Sequence, residues 1–304
     1  MAGPADPYYA APTMVRQLLD VVAPVLLCIA VGWVWGRSRV PFEDATISRL
    51  VLYVSGPCLI FHSLVGLDAD PAALRQVAVL TFVALVVFAL AGAAALRAMR
   101  LPAHTYLGPV VFDNCGNLGL PLCLFAFGRE GLALGVAYFT VSFVGQSIVG
   151  DIFFASERSL KPLITSPLAW AGILAPVVLA LKIPIPTVVE RTTDLLGSLA
   201  IPLMLITLGI SLSRMRASSL GNALRVSVLR LSLGTAVGFA IAHVANLHGT
   251  VRGVFILEAA MPVGVLNYLF ALKYDRDPEG VAAAILLSTL LAFVTLPLLL
   301  SQLL

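Results

Sequence analysis

The sequence predicts an all-α membrane protein: ten transmembrane helices arranged as a 5+5 inverted repeat, with two of the helices broken where they cross. Three observations carry this. First, 60% of the 304 residues are hydrophobic, only 12% are charged, and the mean hydropathy is +0.99. A soluble domain carries about 25% charged residues, and a soluble core of this size cannot hide so much apolar surface. Second, the apolar residues gather into ten windows of about 20 residues, the length that crosses a bilayer. Third, landmarks in the first five windows return in the same order in the last five.

The windows run roughly over 17–36, 45–65, 76–96, 106–127, 131–154, 166–183, 192–212, 225–247, 253–273 and 280–303, each near the 20 residues a span needs. Residues 1–15 read as a flexible N-terminal tail, 16–154 as the first five-helix repeat, 155–165 as a linker and 166–304 as the second repeat. No basic region precedes the first apolar run and no A-x-A site follows it, so a cleaved signal peptide is not expected. The four cysteines, Cys28, Cys58, Cys115 and Cys123, lie in apolar runs without CxxC spacing and suggest neither a zinc site nor a disulfide framework.

Orientation follows from Lys and Arg. One side holds six: Arg16, Arg75, Arg129, Lys182, Arg191 and Arg252. The other holds twelve in loops, among them Arg37, Arg49, Arg97, Arg158, Lys161 and Arg216; Arg230 is expected to snorkel to the same face and makes thirteen. Both termini are therefore placed on the non-cytoplasmic side of the cytoplasmic membrane. The net charge of +3 is spread over loops, with no basic domain for nucleic acid.

The repeat rests on four correspondences. Ala23-Pro24-Val25 returns as Ala175-Pro176-Val177, Pro57 as Pro202, Pro121 as Pro262, and Glu130-Gly131 as Glu279-Gly280, with Thr140 falling on Thr289. Five helices per half is an odd number, so the second half is inserted upside down. Inverted repeats are the signature of secondary transporters.

Spans four and nine read as interrupted helices. In span four, Gly116, Gly119 and Pro121 weaken a continuous helix; in span nine, Pro262 and Gly264 stand at the matching place. Proline suits the first turn of a helix, so Pro121 and Pro262 are expected to open second half-helices. Two helix N-termini then converge near the midplane and offer N–H groups to an anion. With no Lys or Arg expected deep at the crossover, the affinity for an anion has to come from helix ends and amides.

Within the spans the polar residues single themselves out. An intramembrane carboxylate costs roughly 2.5–3.5 kcal/mol on insertion scales. Glu258 lies four residues before Pro262, as Asn117 lies four before Pro121. Either these two help ligate sodium, Glu258 cycles a proton, or Glu258 is a protonated acid bonded to a neighbouring helix. Asp113 reads equally as an ion-coupling group or a helix-terminus anchor. Asn114 and Asn117, three apart, are expected on one helical face. Thr140, Ser142 and Gln146 form a polar stripe on span five. Thr140 is a candidate for ion coupling, though packing explains the stripe more simply. His62 reads as a packing histidine, and Asp151 as an interface residue. Gly32-x-x-x-Gly36 and Gly234-x-x-x-Gly238 permit close helix contact.

The segments GNLGLPL in span four and LEAAMPVGVLNYLFALKYDRDPEGVAAAILLSTLLAFVTLPLLL in spans nine and ten resemble the auxin efflux carrier family. That family includes plant auxin carriers and bacterial malonate- or malate-type permeases. The resemblance implies a bile-acid-symporter-like fold with panel and crossover bundles, often dimeric, in the lipid bilayer. It implies transport of small carboxylates, and places Asn117, Pro121, Pro262 and Asn267 at the crossover site. Asn114, Gly119 and Gly264, from the same interrupted segments, complete the candidate substrate-binding residues, and no cofactor is expected. Many family members carry a neutral residue where this chain has Glu258. Sodium-coupled bile-acid-type transporters of similar fold place an acid in the corresponding helix, so Glu258 hints at sodium or proton coupling. Two other readings remain. A cation/proton antiporter of related fold expects paired mid-membrane acids. An intramembrane enzyme expects motifs such as H-E-x-x-H, which the sequence lacks, as it lacks a P-loop.

Overall fold

The structure, a computed structural model, describes residues 14–38, 40–65, 70–154, 165–181, 183–214 and 220–304. The N-terminal tail before Met14, most of the expected linker, and the counted cations Arg39, Arg158, Lys161, Lys182 and Arg216 lie outside the described residues, as does the side chain of Asp151.

The described residues are helical, with one isolated β-bridge and no strand. Helix α1 spans Met14–Arg37; α2, Asp44–Leu50, runs through a π turn at Val51–Ser55 into α3, Gly56–Val65; α4 spans Pro71–Ala98. Then come α5 (Ala103–Val111), a second π turn (Cys115–Gly119) and α6 (Leu120–Phe154), which bends at Gly128. Next are α7 (Pro167–Ala180), α8 (Thr187–Ser198), α9 (Ala200–Arg214) and α10 (Leu220–Val244). The chain ends with α11 (Gly249–Ala259), α12 (Leu266–Lys273) and α13 (Pro278–Leu303). Seven helical stretches among the described residues are long and apolar enough to cross a membrane.

Local sequence fixes several starts. Asp70 accepts from Ala72 N at 2.9 Å ahead of Pro71, and Asp277 accepts from Gly280 N at 3.0 Å ahead of Pro278. Each joins a side-chain cap to a proline whose missing N–H would be unpaired anyway.

The helices pack in two groups. One contains α1, α3, α7, α8 and α9; the other contains α4, α5, α6, α10, α11 and α13, and α6 also touches the first group. The glycine stripes are used inside the chain. A Cβ on Gly32 would strike the Ile206 carbonyl of α9, and one on Gly234 would strike the Ala259 carbonyl of α11. The outer faces, such as Phe82 and Leu90 of α4, stay exposed and apolar, as a surface solvated by lipid should.

Candidate functional site

Two helices stop inside the second group, and their ends meet. Helix α5 stops at Val111 and α11 at Ala259. Past these points the backbone leaves the helix and forms an antiparallel bridge between Asp113 and Val263. Asn114 N donates to Pro262 O at 2.8 Å, and Gly264 N donates to Phe112 O at 3.1 Å. Backbone freed at membrane depth must find partners in the protein; here each break supplies them to the other. Close approach sets the residue type, since a Cβ on Gly264 would collide with the carbonyl of Asp113. Ser288 of α13 accepts from Val263 N at 3.1 Å. Asn267 donates through Nδ2 to Phe112 O at 2.9 Å and Gly264 O at 2.8 Å, and its Oδ1 accepts from Gln146 Nε2 at 3.3 Å.

The expectation for Arg230 is overturned. It does not snorkel to the cytoplasmic face: it is fully buried at the crossover. The absence of a deep Lys or Arg is therefore also wrong. Nε donates to Met261 O at 3.1 Å, and Nη1 to Val110 O at 2.9 Å and Val111 O at 3.3 Å. Nη2 donates to Asp113 Oδ2 at 3.0 Å and Ala259 O at 2.6 Å. A guanidinium has five N–H groups, and each has an acceptor. The reason lies in the helix ends: α5 and α11 both terminate here, and their unpaired carbonyls carry partial negative charge. One guanidinium caps both and neutralises Asp113. It also lies over the Phe88 ring, 4.7 Å from its centroid. Tyr138 OH donates to Asp113 Oδ2 at 3.1 Å, and Cys115 N reaches Oδ1 at 3.4 Å. Asp113 is thus the counter-ion of Arg230, with both oxygens engaged.

Glu258 is different. It is fully buried one residue before the end of α11. Its Oε1 accepts from the Cys123 thiol at 3.3 Å, while Oε2 is buried without a hydrogen bond. Gly119 and Gly135 make room for it, since a Cβ on Gly119 would overlap the carboxyl.

Other residues depart from expectation. Pro121 is the second residue of α6, but the helical backbone already begins in the π turn at Cys115. Pro262 opens no helix: it lies in the extended break, and α12 starts at Leu266. An extended segment suits a residue without an N–H, and its carbonyl is used by Asn114. Asn114 and Asn117 do not share a face, because the π turn begins between them and changes the rotation per residue. Asn114 is buried with Nδ2 unpartnered. Asn117 instead faces a cavity of about 590 Å³ shared with Ser48, Thr207, Ser211, Leu266 and Glu279. Thr140 donates to its own Val136 O at 2.7 Å and packs on Gly172 of α7. His62 lies in the first group, 3.2 Å from Asp194 Oδ1 of α8.

Sequence reasoning missed Arg230, Tyr138, Gln146, Ser288 and Cys123 as neighbours of these breaks. A signal existed for Arg230: an arginine and an aspartate, each inside an apolar window, should seek each other.

The family described as membrane transport protein matches residues 18–162 and 151–300. An uncharacterized transporter of Methanothermobacter thermautotrophicus is 30% identical over 294 residues, covering 92% of this chain and 96% of that one. An uncharacterized transporter of Methanocaldococcus jannaschii is 25% identical over 305 residues, covering 92% and 97%. Auxin efflux carrier component 8 of Arabidopsis thaliana is 29% identical over 114 residues, 36% of this chain and 31% of its own. Matched along nearly its whole length, the chain belongs to the membrane transport protein family, which includes the auxin efflux carriers, and is a multi-pass membrane transporter rather than an enzyme.

Proposed function

We propose that the protein is a secondary active carrier of small carboxylates, built as ten spans in two inverted five-helix repeats and working by alternating access. The observation that carries this reading is what lines the 590 Å³ cavity. Its lining includes Asn117, in the first turn after one break, and Leu266, the first residue of the helix after the other. First-turn N–H groups have no partner within their helix and carry partial positive charge. A carboxylate entering the cavity therefore meets two helix N-termini and one amide side chain. Arg230 does not compete for it, because its donors are committed to Asp113 and to backbone carbonyls.

Moving Arg230 out of the loop count leaves twelve cations against six, and the inferred orientation stands: both termini outside, in the cytoplasmic membrane. Ser48, Arg214 and Glu279 lie at helix ends beside the loops counted as cytoplasmic, so the cavity opens inward. Asn117, Gly119 and Pro121, with Pro262, Gly264 and Asn267, form and support the binding end. Glu258 is the residue for ion coupling, to sodium or to a proton. The cation/proton antiporter reading is the weaker one: it needs paired free acids, and Asp113 is bound to Arg230.

The test is uptake into proteoliposomes of a carboxylate panel, with an amine and a neutral sugar as controls. Saturable carboxylate uptake that Asn117→Ala reduces is the expected result. Transport of the amine or the sugar, with no carboxylate moving, sinks the reading.

A further inference from the structure

We propose that Glu258 carries the coupling ion as a proton, loaded together with the substrate anion, and that sodium has no seat at this crossover. This rests on the carboxylate-carrier reading above.

Where broken helices hold sodium, they do so with several oxygens at once, mostly unwound backbone carbonyls. At this crossover six such carbonyls are already engaged. Arg230 takes those of Val110, Val111, Ala259 and Met261; Asn267 and Gly264 take that of Phe112; Asn114 takes that of Pro262. The guanidinium is in effect a cation built into the fold, and it cancels Asp113 as well.

Glu258 is then the buried carboxyl left over. The ionisable groups facing it are Cys123 from α6, Cys115 from the π turn, Asp113 from the first break and Tyr138 from α6 beyond its bend. None of them carries a positive charge. The basic group nearby, Arg230 of α10, has all its donors placed elsewhere. The carboxyl lies in a slot shaped by Gly119 and Gly135, where a Cβ on Gly135 would stand 3.0 Å from Oε1. A metal ion in that slot would have one carboxylate and a thiol for ligands. A proton needs only the unpartnered Oε2.

The coupling runs through one turn of backbone. Gly119, against the carboxyl, is two residues from Asn117, which faces the cavity. An ionised Glu258 sets a negative charge behind the turn whose front receives the anion. Protonation removes that repulsion, so the anion loads with a proton. An O–H bond forms on Glu258 with a proton from bulk water on the loading side. It breaks to bulk water on the release side, with no change of oxidation state.

Two measurements test this. Infrared difference spectra of the purified protein, without substrate, should show a protonated-carboxyl C=O band that titrates with pH. The band should be lost in Glu258→Gln, kept but shifted in Glu258→Asp, and unmoved by sodium at fixed pH. No titrating band assignable to Glu258, or a band that sodium abolishes, overturns the proposal. In sodium-free proteoliposomes, a gradient of one pH unit should sustain about tenfold accumulation of a carboxylate moving with one proton. Glu258→Gln should accumulate none while still exchanging labelled for unlabelled substrate. Accumulation that follows a sodium gradient without acidifying the lumen overturns it. If no carboxylate moves at all, the carrier reading falls, and the infrared band alone decides whether Glu258 exchanges a proton.

Discussion

The two helix breaks each bring one acid to the membrane interior, and the protein treats them in opposite ways. Asp113, just past the end of α5, has Arg230, Tyr138 and a backbone amide on its two oxygens. Glu258, near the end of α11, has a thiol on one oxygen and nothing on the other. A charge whose hydrogen-bonding capacity is fully used makes a joint, and moving it costs every bond it holds. A group with capacity left over is free to change state as the carrier works. The same distinction separates Asn267, fully engaged at the crossover, from Asn117, which faces the cavity.

The largest effect should come from breaking the joint. Arg230→Met strands the Asp113 charge and leaves four carbonyls without donors. Removing one partner of a buried ion pair costs about 3–5 kcal/mol, a large share of a typical stability. We expect loss of folded protein, or a large drop in melting temperature in detergent. The double variant Arg230→Met with Asp113→Asn removes the stranded charge but not the uncapped carbonyls, so it should recover only part of the loss. Glu258→Gln should melt near the wild type, because no ion pair is broken. If Glu258→Gln destabilises as much as Arg230→Met, the two acids are not different in kind.

Much of this was legible in the sequence, and what was not has definite causes. Composition alone names the solvent as lipid. Pro262 and Gly264 fall inside the second break, whereas Gly116, Gly119 and Pro121 lie just past the first, in the π turn and the first turn of α6, so they mark it only to within a few residues. What happens inside the breaks was misread. Pro262 was expected to start a helix; instead the segment pairs with the other break, and that pairing joins residues about 150 positions apart, beyond any local pattern. Arg230 was misplaced for a related reason. A position five residues into an apolar window is compatible with snorkelling, and only the tertiary arrangement shows two carbonyl ends waiting on the inner side. The π turn at Cys115–Gly119 likewise defeated the three-residue spacing that put Asn114 and Asn117 on one face.

The next effect sharpens the same comparison between asparagines. Asn267→Ala takes two donors from the crossover carbonyls and leaves Gln146 without its acceptor. Each unsatisfied buried group costs about 1–3 kcal/mol, so both thermal stability and uptake should fall. Asn117→Ala removes an amide that faces a cavity, where water can replace it. Its melting temperature should stay close to the wild type while carboxylate uptake drops about tenfold, the loss of one hydrogen bond to a charged group. Paired melting and uptake curves read both. Equal loss of stability in the two variants would show that Asn117 also holds the fold.

The smallest effect is expected at Thr140. Its hydroxyl donates to the carbonyl of Val136 one turn earlier, and its methyl packs against the space left by Gly172. Such a bond back to the helix satisfies the hydroxyl without fixing any partner. It neither joins the breaks nor leaves capacity for a ligand. Thr140→Val keeps the β-branched shape and deletes only the hydroxyl, and the carbonyl it leaves still accepts its helix bond. Changes away from buried networks usually fall within about 0.5 kcal/mol. Uptake, its dependence on pH and sodium, and the melting temperature should therefore all match the wild type. A Thr140→Val carrier that moves substrate but has lost its response to an ion gradient would place part of the coupling machinery on α6, away from Glu258.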